Sequence, residues 1–198
     1  MKTLNETSVV NVEGHVIIRD VDTNETLLNK YNAINFQNFA LALANSLANK
    51  TDVNGNSSVI SKLAFGFGGS TIDASGNITY KEAKVAGGSG ALYNASLDNA
   101  NGGVHLQVPI TEHTVMDAAN EPYTDLACKV ILDYNYPADA STLDTASNYE
   151  TAGEFVFDEI ALVTESGNFL THLIFHPIQK SKNRKLEILY TLRIRAGV

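Results

Sequence analysis

The chain has 198 residues and a mass of 21.3 kDa, with 44% apolar and 18% charged residues, which suits one domain with a sizeable core. A formal net charge of −8 and a pI of about 5.0 argue against nucleic acid or an anionic membrane as a general partner. No apolar run reaches the length of a helical membrane span and no targeting segment is legible, while the single Cys128 excludes an internal disulfide. The expectation is a soluble protein made in a reducing cytoplasm, with Cys128 a buried small hydrophobe inside "DLACKVILDY".

In chain order, residues 8–21 and 26–34 read as a strand pair around the turn "DTNE", with Gly14 a candidate bulge. One helix is predicted over about residues 36–49. Phe36, Phe39, Ala40, Leu43 and Leu47 share a face at helical spacing, Asn35 is a good N-cap, and the alanines suit close packing on a sheet. A polar loop at 51–59 leads to an apolar strand, "VISKLAFGF", which ends at Gly66, Gly68 and Gly69. A short hairpin is expected around "DASGNITY". Strands follow at 102–116, where Pro109 marks an edge or bend, and at 125–136. "EFVFDEIALVTE" and "NFLTHLIFHPIQK" flank a Glu-Ser-Gly turn, and the last strand alternates strictly, with Leu186, Ile188, Tyr190, Leu192 and Ile194 on one face. Strand pairs without intervening helices predict a mainly β, antiparallel β-sandwich with one packed helix, in a single domain with long loops at about 82–103 and 137–153.

Motifs that would carry chemistry fall short of their requirements. Gly66, Gly68 and Gly69 resemble a phosphate cradle, but the third glycine is misplaced, no Gly-Lys-Ser/Thr follows, and the next segment lacks a helical period. These glycines are therefore read as a structural turn. "DVDTNETLLNKY" starts like a calcium loop but has Glu25 where Gly is needed and Tyr31 where a bidentate Glu is needed. His172 and His176 lie on a strand, about 13 Å apart, too far to share one metal. His15, His105 and His113 are isolated in sequence. Asp158 and Glu159 are neighbours on a strand and should point to opposite faces, leaving one turned inward. No catalytic residue, metal site or cofactor is assigned. "KSKNRK" forms a basic tip on an acidic protein, and Lys180, Lys182, Arg184 and Lys185 are the candidate assembly contacts.

The order of segments resembles a group of tailed-bacteriophage virion proteins of the baseplate and tail tip. The resemblance rests on "LLNKYNAIN", then "FQNFALALANSLAN", then "ISKLAFGFGGSTIDASGNITY", and finally "FVFDEIALVTESGNFLTHLIFHPIQKSKNRKLEILYTLRI". It spans about 150 residues, with 82–125 the weak part. It implies a non-enzymatic structural component of a phage tail, located in the virion. Such a component forms homo-oligomers and docks to other tail proteins by sheet edges and loops. A neck, collar or capsid decoration protein is the structural alternative. A carbohydrate-binding β-sandwich for a host glycan is the alternative from another class. It would draw on the eight tyrosines, since the chain has no tryptophan.

Overall fold

A computed structural model describes residues 9–85, 92–95, 97–98, 104–117, 119, 121–136 and 154–197. The expected loop at 137–153, and part of the one at 82–103, lie outside the described residues. The first two segments form the expected hairpin. β1 (Val9–Asp20) pairs antiparallel with β2 (Thr26–Ile34), and Asn24 takes a left-handed φ of 60° in the turn between them. The bulge falls at Ile18–Arg19 rather than at Gly14. Gly14 instead admits the side chain of its cross-strand neighbour, because a Cβ there would lie 1.7 Å from Asn32 Oδ1.

Helix α1 (Phe36–Leu47) follows directly, capped by the Asn35 side chain, which accepts the Asn38 N–H at 3.1 Å. Then come β3 (Ile60–Phe67), the small hairpin of β4 (Ser70–Ile72) and β5 (Ile78–Tyr80), and the short strands β6 (Asn94–Ala95), β7 (Leu97–Asp98), β8 (Val104–His105) and β9 (Gln107–Pro109). β10 (Glu112–Asp117), β11 (Tyr123–Leu132), β12 (Glu154–Thr164), β13 (Thr171–Ser181) and β14 (Leu186–Gly197) complete the chain. Two loops repeat one solution. In Asp52-Val-Asn-Gly-Asn56 and Asp73-Ala-Ser-Gly-Asn77 the aspartate accepts backbone N–H groups two and four residues on, and the glycine sits at a φ of 83° or 84°. That conformation is cheap only without a Cβ.

The mainly β, antiparallel class with one helix is what folds. The layers come from one continuous sheet of order β10-β11-β14-β1-β2-β13-β12-β3-β6, with β9 also on β3. The segment 107–117 joins its two ends, pairing with β3 through β9 and with β11 through β10. Ile110 N–H donates to Ser61 O and Thr111 N–H to Lys129 O, both at 2.9 Å, at the point of exchange. Pro109, which has no N–H to give, sits just before that point. The sheet thus curls around a main core to which β1, β2, β3, β11, β12, β13 and β14 all contribute. Leu186, Ile188, Tyr190 and Leu192 are fully buried, so the alternation of the last strand is real. That strand lies between β1 and β11 in the middle of the sheet, because chain order does not set strand order.

The helix departs from expectation. Its buried residues are Asn38 and Ala42, with Phe39 half-buried, whereas Phe36 is 70% exposed and Leu47 81%. Asn38 Nδ2 donates to Phe169 O at 2.8 Å, and Asn45 Nδ2 reaches Ser58 Oγ at 3.2 Å. With these polar side chains anchored inward, much of the helix's apolar stripe faces outward.

Candidate functional site

The glycine turn does receive an oxyanion, but from its own chain. Gly68 takes a φ of 93°, which aims the next two N–H groups at the Asp158 carboxylate. Gly69 N–H donates to Oδ1 at 3.2 Å, Ser70 N–H to Oδ2 at 2.7 Å and Ser70 Oγ–H to Oδ2 at 2.5 Å. Gly69 must lack a Cβ, which would stand 2.8 Å from Glu159 Cγ and 2.9 Å from Ile174 Cγ2. Burial raises the pKa of Asp158, against the opposing pull of the Ser70 and Gly69 donors.

Both neighbouring carboxylates are buried, a correction to the expectation that one would face outward: Asp158 is 2% exposed and Glu159 fully buried. The pairing of β12 with β13 shifts between Phe157 and Glu159. In addition β12 is covered on both sides, with Phe157, Ile160 and Leu162 in the main core and Ala161 and Val163 packed with Ala64 and Leu92. Glu159 Oε2 accepts the Tyr93 N–H at 2.7 Å and lies 2.8 Å from His172 Nε2. His172 Nδ1 accepts the Lys84 N–H at 2.9 Å, so the ring proton sits on Nε2 and points to Glu159. This cluster fastens the covering segment to the sheet: Lys81 and Lys84 Nζ each lie 4.4 Å from the Tyr93 ring centre, and Tyr93 Oη–H donates to Glu82 O. His176 is exposed, four residues from the buried His172. His15 Nε2 meets Asn29 Oδ1 at 2.6 Å, His113 Nε2 meets Ile60 O at 3.0 Å, and the side chain of His105 lies outside the described residues.

The basic tip is used internally. Lys180 is 1% exposed, and its Nζ donates to Asp133 O at 2.9 Å and Ser181 O at 3.0 Å. Burial lowers its pKa to about 8. Arg184 Nε donates to Asp20 Oδ2 at 2.6 Å, and this bond is the main reason the Asp20 pKa is lowered. Lys185 Nζ lies 3.2 Å from Asp133 Oδ1, and Lys182 is exposed. Cys128 is buried, its thiol pKa pushed up to about 12 by burial. Among the described residues, no group of three or more His, Cys, Asp or Glu side chains is placed to hold a metal ion.

An exposed apolar surface lies on α1. Phe36, Ala40, Leu43 and Leu47 form an exposed stripe at i, i+4, i+7 and i+11, flanked by Leu41. Residues 35–49 carry no ionisable side chain. Between β1 and the first turns of the helix runs a groove of about 480 Å³, lined by Val10, Val12, Ile34, Phe36, Phe39 and Leu43. On the opposite flank an apolar cleft of about 280 Å³ lies against Phe39, Ala42, Leu126 and Leu192. The helical period announced this stripe. Which way it faces needed the anchoring of Asn38 and Asn45 to distant chain segments, for which one sequence carries no signal. Comparison with known proteins returns no match: no family model, no curated protein and no solved structure aligns with the chain.

Proposed function

We propose that this chain is a non-enzymatic structural component of a phage tail assembly, of the baseplate or tail-fibre attachment type, acting by self-association and docking. The observation that carries the docking role is the uncharged apolar stripe turned outward on α1, on a chain whose buried charges are engaged with its own backbone and side chains. Apolar side chains left in water at this density mark a surface that is covered in the working assembly. The placement in a tail is supported by the order of segments described above, of which this helix is one. Immunogold labelling of tailed particles made together with the chain tests the placement. Gold at the tail tip supports it, and gold on the head alone overturns it. Light scattering on the isolated chain tests self-association, with a strict monomer the contrary result.

A glycan-binding reading is favoured by one feature. Tyr31, 73% exposed, stands over a polar pocket of about 140 Å³ with Glu13, His15, Thr191 and Arg193, an aromatic platform beside donors and acceptors. A glycan array with the wild type and Tyr31→Ala tests it: binding lost in the variant supports this reading, and no binding by either removes it.

A further inference from the structure

We infer that two copies of this chain pair through α1, antiparallel across a two-fold axis, each seating Leu47 in the groove beside the start of the partner's helix. The inference rests on the self-association reading and names the face and the geometry.

The stripe is complementary to itself. Leu47, at the last turn, is its most exposed member at 81%, while the groove of about 480 Å³ lies beside the first turns at Phe36, Phe39 and Leu43. Knob and hole thus sit at opposite ends of one stripe, with Phe36 and Leu47 separated along the helix axis by roughly 16 Å at 1.5 Å per residue. A two-fold axis crossing the helix between Ala40 and Leu43 sets each knob against the other copy's hole. A parallel pairing sets knob on knob and leaves both grooves empty. Ala40 is exposed beside that axis, and its small side chain lets the two backbones approach closely.

Charge selects a second copy over other parts of the same molecule. The outer faces of β1, β11 and β14 carry the ion pairs Lys129–Glu187, Arg193–Asp125 and Arg195–Glu13. Covering such groups with leucine strips water from charges without replacing it. An α1 stripe laid on another α1 stripe buries no ionisable group, because residues 35–49 have none. The contact also gives two chains of net charge −8 an uncharged place to meet. Antiparallel packing opposes the two helix dipoles, and an isologous contact closes at two copies.

The experiment uses the full chain. Light scattering coupled to size exclusion is expected to give a dimer for the wild type. The double variant Leu43→Glu/Leu47→Glu is expected to weaken the dimer by at least about 100-fold, with its far-UV circular dichroism unchanged. Oxidising a mixture of the single variants Phe36→Cys and Leu47→Cys is expected to give mainly the mixed disulfide dimer, with the buried Cys128 silent. Self-linked Leu47→Cys dimers would indicate parallel pairing and overturn the geometry. An oligomer that survives the double glutamate variant overturns the face while leaving self-association standing. A wild-type monomer at all concentrations overturns both.

Discussion

Two flanks of the curled sheet invert the usual rule of burial. Outside β12, two carboxylates and a histidine are 2% exposed or less. On α1, Phe36 and Leu47 are more than two-thirds exposed. The difference lies in which groups find partners within the chain. Asp158 meets the N–H groups of Gly69 and Ser70, and Glu159 meets Tyr93 N–H and His172, so their burial is compensated. Among the described residues, no second layer covers the apolar stripe of α1. Burial of the polar groups here follows the supply of partners within the chain.

Breaking the polar side has the largest expected effect. Asp158→Ala leaves three buried donors without an acceptor and should lower stability by about 3–5 kcal/mol in urea unfolding. Since the folded pKa of Asp158 is raised, the folded state binds the extra proton. Its contribution therefore falls as pH rises from the unfolded value through the folded one, and Asp158→Asn should flatten that part of the pH–stability curve.

Lys180 shows what burial costs when compensation is partial. Its folded pKa of about 8 lies below the ordinary lysine value of 10.5. Between the two the unfolded chain still binds a proton that the folded chain has released, so stability rises with pH across that window. Relative to Lys180→Met, the wild type should gain about 2–3 kcal/mol between pH 8 and 10.5, measured by chemical unfolding at each pH. Gly69→Ala comes next, with an expected loss of about 1–3 kcal/mol from overpacking against Glu159 and Ile174. Leu47→Gln should be the mildest, within about 0.5 kcal/mol for the monomer. A large loss of monomer stability there would place Leu47 in a folded contact and erase the contrast between the two flanks.

The hairpins, the helix with its Asn35 cap and the buried face of β14 were legible because each rests on local periodicity or turn chemistry. The Glu159–His172 contact was partly legible: a tight turn at 165–167 brings those two strands together, and the strand register sets Glu159 opposite Ile174, two residues from His172. The Asp158 contact with Gly69 and Ser70 spans 89 and 88 residues and left no trace in sequence spacing. In sequence Lys180 belongs to the basic tip "KSKNRK" and reads as an assembly contact. Only the arrival of the Asp133 carbonyl, 47 residues away, turns it inward.

By itself the sequence determined the antiparallel β class, the single helix, the turn role of the glycines and an apolar stripe of helical period, since each depends on residues close together in the chain. Tertiary structure alone decided that the sheet closes through residues 107–117, that both Asp158 and Glu159 are interior, and that α1 presents its stripe outward. Those outcomes depend on hydrogen-bond partners far apart in sequence, and a buried polar group goes where its partner is.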